Sequence, residues 1–286
     1  MKKLTFTNDT KSIIITNYEL PYVLKSFNLD TEIDNVTSKT VNQDGVHHIN
    51  TNIGAGNVEL AFVIVANNKN ELESMKSDIR QIFNHTSDIK CIYKNDINER
   101  IISLKIESIP KFVEIDELCC ECSIDLLAPC PYWQDLSESR NDIAKWQKAF
   151  KFPLMIPQEG VPVGYREPSL IVNVFNKGDV KADLKIEFRA KGSLSKPSLL
   201  NVNTKEFIKI NKDMVAGEVI TITTGYGNKK VIKYLNGITE NIFNHLDLES
   251  TFLYLSQGDN LFRYDSESGL DNLEVTIYFT PKYLGV

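Results

Sequence analysis

The fold is decided between residues 58 and 83, which read VELAFVIVANNKNELESMKSDIRQIF. The run 58–66 is apolar at every position except Glu59, and such a run predicts a strand that is buried on both faces. A helix follows it, with Asn70 and Glu73 in a capping-box pattern at the start. Its apolar residues recur on one stripe, namely Leu72, Met75, Ile79, Ile82 and Phe83. The segment therefore predicts a sheet with a helix packed on it.

More strands are predicted downstream of this helix. Ile102, Leu104 and Ile106 alternate with polar residues, and the same period of two continues over residues 112–127 after a break at Pro110. These segments predict consecutive β-strands in the same half of the chain.

The composition changes at residues 128–133, which read APCPYW, because two prolines exclude a central strand. A short helix is predicted over residues 137–150, where Ile143, Trp146 and Phe150 lie at helical spacing. The prolines and glycines of residues 153–168 then predict an irregular connector.

Short alternating segments resume after residue 169, notably at 184–189 and 273–279. Turn signals rich in Gly, Asn and Asp separate them, at residues 176–179, 216–217, 225–228 and 257–260. This rhythm is typical of an antiparallel sandwich, so the second half is predicted to be all-β.

Three regions follow from these patterns. We predict an N-terminal domain over residues 1–133, a connector with a short helix over 134–168, and a C-terminal β-sandwich domain over 169–286. The C-terminal domain is expected to fold alone, because it has its own strands and turns and holds 14 basic and 14 acidic residues. The chain is thus predicted to be mainly β.

The charge balance argues against nucleic-acid binding. The 286 residues include 32 Lys and Arg and 38 Asp and Glu, for a formal net charge of −6. Because nucleic-acid binding needs many basic groups to neutralise phosphates, this balance disfavours it. The acidity lies in residues 1–168, which hold 18 basic and 24 acidic side chains.

Neither an export signal nor a membrane span is predicted. Polar residues interrupt the stretch after Met1, Lys2 and Lys3, where a secretory signal needs an apolar core. The longest apolar run is far shorter than the roughly 20 residues that cross a bilayer. We therefore expect a soluble protein that is made in a cytosol.

Four of the five cysteines lie within twelve residues, so a metal site has to be considered. On a strand, Cys120 and Cys122 share one face with Leu118 and Ile124, while Cys119 lies on the other face. Zinc sites usually combine two CxxC units, or a CxxC unit with histidines, and the sequence has neither combination. Reduced thiols in the core are therefore favoured over a metal site.

Motifs of common enzyme classes do not occur in the sequence, including GxxxxGK[ST], HExxH and GxSxG. Residues 54–56, which read GAG, lack the third glycine and the following helix of a dinucleotide site. His47 and His48 lie near Asp44, as a general base oriented by a carboxylate would. A glycine-containing turn before a strand explains this pattern better. His85 follows the predicted helix, where an imidazole can interact with exposed carbonyls.

The sequence therefore predicts no enzyme, and it assigns no catalytic, cofactor-binding or metal residue. Two alternatives stay open. A glycosidase would need two carboxylates in one cleft. A carbohydrate-binding adhesion module would need aromatic residues on one exposed face of the C-terminal sandwich. The candidates for that face are Tyr226, Tyr234, Phe252, Tyr254, Phe262 and Tyr264, although alternation places many of them in the core.

The order of these elements resembles the distal tail (Dit) protein family of siphophage-type tails, and the resemblance covers essentially the whole chain. The matching stretches of the first half are 44–46 (DGV), 52–56 (NIGAG), 58–66, 71–83 and 129–133 (PCPYW). Those of the second half are 151–154 (KFPL), 173–179 (NVFNKGD), 197–203, 217–222 and 255–260 (LSQGDN).

The resemblance implies an N-terminal tail-tube-like ring domain, which is a β-sandwich with one α-helix and a hairpin, and a C-terminal galectin-like antiparallel β-sandwich. It implies a structural distal tail, or baseplate hub, protein of the virion tail, made and assembled in the bacterial host cytoplasm. The implied assembly is a homo-hexamer in contact with the major tail tube protein and with a tail-tip, tail-associated lysin, fibre or receptor-binding protein. DNA would pass through its lumen without specific binding. No cofactor and no membrane contact are implied.

One departure from the family concerns sugar binding. Some relatives carry large inserted carbohydrate-binding modules, and the loops of this chain leave no room for one. Host-sugar binding is therefore not expected from an insertion of that kind.

Overall fold

The computed structural model describes residues 2–42, 44–144, 146–148, 164–166 and 171–286. The chain divides into two compact units. Unit 1 comprises Met1–Leu136 and Tyr283–Val286, and unit 2 comprises Ser137–Lys282. The last four residues thus belong with the N-terminal unit.

Unit 1 contains nine strands before the chain leaves it, and the helix α1 (Lys69–Ile82) between the fourth and fifth. The strands are β1 (Lys3–Thr7), β2 (Ser12–Thr16), β3 (Tyr22–Ser38), β4 (His47–Val65), β5 (Ile89–Lys94), β6 (Glu99–Ile106), β7 (Lys111–Asp116), β8 (Cys119–Ala128) and β9 (Trp133–Asp135).

Unit 2 consists of short strands, with 3₁₀ turns at Phe243–His245 and Leu270–Asn272. The strands are β10 (Ser139–Ala144), β11 (Trp146–Lys148), β12 (Gly164–Arg166), β13 (Ile171–Asn176), β14 (Ala182–Ala190), β15 (Leu194–Ser195), β16 (Ser198–Asn201), β17 (Phe207–Lys209), β18 (Asp213–Met214), β19 (Val219–Thr223), β20 (Lys230–Leu235), β21 (Ile238–Asn241), β22 (Tyr254–Leu255), β23 (Gly258–Asp265) and β24 (Leu273–Phe279). A last strand, β25 (Lys282–Tyr283), leads back to unit 1. The predicted mainly β fold is confirmed for the described residues, and α1 is the single α-helix among them.

The strands of unit 1 form one sheet in the order β25-β9-β6-β5-β1-β2-β3-β4-β8-β7. An additional pairing of β6 with β8 closes this sheet on itself. The enclosed core contains Phe6, Phe62, Phe83 and Trp133, which are all buried. Unit 1 is therefore a closed β structure with α1 packed into its core.

The strand predicted over residues 58–66 is correct in position but wrong in burial. It forms the second part of β4, which pairs with β3 on one side and β8 on the other. Leu60, Phe62 and Ile64 are buried, whereas Glu59 is exposed and Val63 is half-buried. Only one face is covered, because the core that includes α1 lies on that face alone.

The helix prediction is confirmed for the apolar stripe, whose five residues are all buried. The capping prediction is wrong by two residues. The N-cap is Asn68, whose carboxamide oxygen accepts the N–H of Glu71 at 2.9 Å. The Glu71 carboxylate in turn accepts the N–H of Asn67 at 2.9 Å. The first bond satisfies an early helix donor and the second a donor just before the N-cap, and together they fix the start at Lys69.

The short helix predicted over residues 137–150 is wrong. Residues Ser139–Ala144 form β10, an edge strand that pairs antiparallel with β24 and buries Ile143 in the core of unit 2. The sheet edge offered by β24 outweighs the helical spacing of the apolar residues. The predicted connector over 153–168 and the matching stretch 151–154 lie outside the described residues, apart from 164–166.

Unit 2 is a sandwich of two main sheets. One has the order β10-β24-β14-β19-β20-β21, with β22 also paired to β14, and the other has the order β13-β23-β16-β17. Ile186 and Ile277 from the first sheet and Val174 and Phe262 from the second share one buried core. The predicted all-β second half is confirmed for the described residues.

Two buried asparagines hold turns in the stretches 173–179 and 255–260. Asn176 donates to the carbonyl of Val180 at 3.0 Å and accepts the N–H of Gly178 at 2.9 Å. Asn260 donates to the carbonyl of Gly258 at 2.9 Å and accepts the N–H of Ser256 at 2.9 Å. Each side chain satisfies backbone groups that the turn leaves unpaired.

No helix in the part of the chain that the structure describes combines the length and apolarity of a membrane span.

Candidate assembly interface

The hairpin β3–β4 extends beyond the body of unit 1 as a two-stranded ribbon. Its pairing runs from Tyr22 with Ile64 to Ser38 with His47. Every described residue from 32 to 52 is exposed, and we call this segment the arm. Seven residues of β3 lie in it, so at about 3.3 Å per residue it is roughly 20 Å long.

The arm exposes apolar side chains to solvent. Its large exposed apolar residues are Ile33, Val36, Val41, Val46 and Ile49. A two-stranded ribbon without a buried face is only marginally stable in water, and edges of this kind favour pairing with another chain. The arm therefore has the properties of a contact element that is completed by another surface.

Polar side chains cross-link the two strands of the arm. Nε2 of His48 lies 2.7 Å from Oγ1 of Thr51, and Thr51 donates to Oδ1 of Asn35 on the opposite strand at 2.8 Å. Gly45, with φ of +79°, lies in the bend just before β4 begins at His47. The interpretation of this region as a turn before a strand is confirmed, and the hydrogen-bond partner of His48 within it is the hydroxyl of Thr51.

The arm is acidic. Residues 32–52 hold Glu32, Asp34 and Asp44 against one basic residue, Lys39. All four side chains belong to exposed residues. The negative charge that the sequence places in the first half is therefore displayed partly on this element.

A glycine marks the base of the arm. A Cβ atom on Gly56 would lie 2.6 Å from Cδ1 of Leu29, 3.4 Å from Cβ of Pro131 and 3.5 Å from Cβ of Ala128. The stretches 52–56 and 129–133 meet at this point. Gly56 thus permits the close approach of the ribbon, β8 and the proline segment that follows β8.

Three of the five thiols lie in the core of unit 1. Cys91, Cys120 and Cys122 are buried, and burial raises the pKa of all three, that of Cys122 to about 12. Cys119 is half-buried and Cys130 is exposed. The predicted inward orientation of Cys120 and Cys122 is confirmed. Leu118 was expected beside them, but it lies in the turn between β7 and β8 and is 38% exposed.

The described residues contain no group of three or more His, Cys, Asp or Glu side chains that could hold a metal ion. His85 is exposed just after α1, and the carbonyl of His245 accepts the N–H of Asn211 at 2.7 Å. The sequence analysis assigned no residue to catalysis or to a cofactor, so there are no predicted site residues whose positions could be compared.

The aromatic residues proposed for a sugar platform do not share one exposed face. Phe262 and Tyr264 are buried in the core of unit 2. Tyr226 is exposed on the turn between β19 and β20, while Phe252 stacks on Phe243 at a centroid distance of 6.0 Å. The arrangement that would favour the adhesion alternative is therefore not formed by this set.

The C-terminal residues complete unit 1. β25 lies beside β9 at the end of the sheet, and the ring of Tyr283 is buried. The guanidinium of Arg100 lies 3.6 Å from the centroid of that ring and donates to the carbonyl of Gly285. Sequence patterns did not reveal this return of the chain.

Comparisons with known proteins agree on one family. A family model described as a phage tail protein RIFT-related domain matches residues 14–112, and a model described as a siphovirus-type tail component, C-terminal domain, matches residues 177–283. The two together match more than two thirds of the chain. No curated protein matches it.

Solved structures share the fold. The Dit (gp 19.1) protein of phage SPP1, described as a paradigm of hub adsorption apparatus in phages that infect Gram-positive bacteria, superposes with a TM-score of 0.71 at 13% identity. That match covers 98% of this chain and 99% of the other. A chain of the phage p2 baseplate in its activated conformation with Sr matches with a TM-score of 0.55 at 10% identity, over 100% of both chains.

The fold likeness and the two family models, one in each half of the sequence, lead to the same assignment. The chain belongs to the siphovirus-type distal tail (Dit) protein family, whose members are structural components of the phage tail.

Proposed function

We propose that the chain is the baseplate hub of a siphophage-type tail and that it works as a hexameric ring. The observation that carries this proposal is the arm, which exposes apolar side chains and two unpaired strand edges. Such an element gains its stability by packing on another molecule. A second copy of the chain is always present during assembly, so it is the simplest partner.

A ring follows from the kind of contact that an arm makes. The arm of one copy and its receiving surface on the next are different patches, so the contact is heterologous. Repeated heterologous contacts close into a ring when the rotation from one copy to the next is a whole fraction of a full turn. The number six comes from the family resemblance. The known hub and baseplate structures of the same fold support this reading.

The charge of unit 1 suits passage of DNA without binding. The acidic excess of residues 1–168, with 24 acidic and 18 basic side chains, would give a ring of six copies a strongly negative ring domain. Negative walls repel phosphates, so DNA slides through instead of binding. No catalytic step is needed for this role, and we propose that the protein is not an enzyme.

The other partners proposed here are those of a tail hub. Unit 1 would contact the major tail tube protein, and the C-terminal sandwich, proposed to be galectin-like, would face a tail-tip, lysin, fibre or receptor-binding protein. Assembly would take place in the cytoplasm of the bacterial host before the tail joins the virion. The description of the SPP1 protein as a hub, and of the p2 structure as a baseplate, supports this placement.

Electron microscopy of the purified chain tests the proposal. The full chain is expected to form six-fold rings. A variant in which Asn-Gly replaces residues 34–52 should remain monomeric, because Asn-Gly joins the paired Ile33 and Ile53 in a tight turn and removes most of the arm. Circular dichroism serves as the control that the shortened variant is folded. A full chain that stays monomeric at high concentration would contradict the proposal.

A further inference from the structure

One strand junction in unit 1 is nearly open. β2 and β3 are joined by a single parallel pair, Thr16 with Val23, whereas the pairing of β3 with β4 continues from Tyr22 to Ser38. Beyond Val23, the edge of β3 that faces β2 has no strand beside it in the described part of the chain. Its outward backbone groups are available to an incoming strand.

A cleft lies along this open edge. It has a volume of about 560 Å³, and Leu24 and Phe27 of β3, Tyr93 of β5 and the exposed Tyr18 help to line it. Oδ1 of Asn17, another lining residue, is buried without a hydrogen-bond partner in the described residues.

The cleft has more basic than acidic groups in its lining. Lys2 and Lys25 line it, the terminal residue Val286 adds a carboxylate, and the lining contains no Asp or Glu. Lys25 also forms an ion pair with Glu121 at 2.7 Å, so Lys2 is the lysine more available to a ligand. The cleft therefore suits an extended segment that is acidic and partly apolar.

The arm has these properties, because it is extended, carries three carboxylates against one lysine and exposes its apolar side chains. A second open edge, β7 at the end of the sheet, also exposes apolar residues, Val113 and Ile115. That edge carries Glu114 and Asp116, with Lys111 at its start. Like charges disfavour pairing of an acidic arm there, and they favour the cleft.

We propose that the cleft between β2 and β3 receives the arm of a neighbouring copy, which adds a strand to the open edge of β3. This inference rests on the proposed ring. It identifies the receiving surface, which neither the fold nor the family models specify. Each copy then contributes one arm and one cleft, and the two together form the repeating contact.

Photo-crosslinking tests the position directly. Copies with p-benzoylphenylalanine in place of Tyr18, at the rim of the cleft, are mixed with isotopically labelled unmodified copies and irradiated after assembly. Mass spectrometry is expected to find crosslinks from position 18 to residues 32–52 of labelled copies. The same probe in place of Ile115 on β7 is the control and should give no crosslinks to the arm. Rings that crosslink to the arm from position 115, and not from 18, would overturn the inference.

A charge reversal supplies an independent measurement. Lys2→Glu should raise the concentration at which half of the copies are in rings by at least tenfold, while Lys90→Glu, an exposed residue outside the cleft, should leave it unchanged. Equal effects of the two variants would contradict the cleft as the receiving site. If the shortened-arm variant still loses its rings in that case, the proposed ring stands and only the cleft is wrong. If the full chain forms no rings, both proposals fail.

Discussion

The two parts of the β3–β4 ribbon share the same two strands, but they differ in what pairs with these strands and in what covers them. In the base, β4 buries Val58, Leu60, Phe62 and Ile64 against the core of unit 1. In the arm, every described residue from 32 to 52 is exposed. The β3–β4 pairing is common to both parts, and only the base adds the pairing of β4 with β8 and a hydrophobic face to stabilise it.

The difference indicates that contacts within the chain do not stabilise the arm as they stabilise the base. The base is stabilised by contacts within the chain, and in the proposed ring the arm gains comparable contacts on a neighbouring copy. Substitutions in the base should therefore change the stability of the single chain. Substitutions in the arm should change assembly instead.

The largest difference is expected for truncations in the two parts. Phe62→Ala should lower the free energy of unfolding of unit 1 by about 3–5 kcal/mol, because it leaves a cavity in the core. Ile49→Ala in the arm should lower it by less than about 0.5 kcal/mol. Urea unfolding of the unassembled chain, followed by the fluorescence of Trp133 in a Trp146→Phe background, measures both. Similar losses for the two variants would remove the distinction between base and arm.

Two glycines of the ribbon offer a sharper comparison. Gly56→Val should destabilise unit 1 by about 1–3 kcal/mol, because its added carbons meet Leu29, Pro131 and Ala128. Gly54→Val, two residues further out, meets only Glu32 at 3.5 Å and should be nearly neutral. The same unfolding measurement compares the two variants. A larger loss of unfolding free energy for Gly54→Val than for Gly56→Val would show that the packed base of the ribbon extends outward beyond Gly56.

A smaller effect is expected at the cysteines of β8. Cys122→Ser should destabilise unit 1 by about 1–3 kcal/mol if the buried hydroxyl stays unpaired, and Cys119→Ser, on the half-buried face, should cost less. EDTA should leave the melting temperature unchanged, because the thiols are expected to be core residues without zinc. Stoichiometric zinc in the purified protein would contradict this expectation.

Thiol labelling checks the same burial without mutation. At pH 8 the exposed Cys130 should be alkylated readily, whereas Cys122, whose pKa is raised to about 12 by burial, should react only when unit 1 unfolds. Because the site is buried, the folded state holds the Cys122 thiol in its neutral form. The stability gained from burying the neutral thiol is therefore complete below the ordinary thiol pKa, and it is lost as the pH rises toward 12. Rapid alkylation of all five thiols in the folded chain would refute the assigned burial.

The sequence predicted elements whose pattern is local and strong. The apolar stripe of α1 and the alternating thiols of β8 were correctly assigned to the core, because their periodicity repeats over several turns or residue pairs. The start of α1 was misplaced because three asparagines, Asn67, Asn68 and Asn70, all suit a cap. Asn68 is the N-cap because its side chain, in the folded chain, accepts the N–H of Glu71. The identity of the three residues alone does not show this.

Long-range pairing was beyond local patterns. β10 was mistaken for a helix because its partner β24 lies more than 130 residues away. The arm was expected only as part of a family hairpin, since its Asn- and Thr-rich strands lack a contrast between an apolar and a polar face. The sequence pattern of β2 or β3 does not predict their nearly open junction, because the junction depends on how far the two strands diverge in the fold.

Native mass spectrometry of the purified full chain decides whether the protein forms a six-copy ring, because it counts the copies in each assembly. We expect a species of six times the chain mass of 32.5 kDa, and its replacement by the single-chain mass when Asn-Gly replaces residues 34–52. A full chain found at 32.5 kDa alone, at concentrations where it is folded, would contradict the proposed ring.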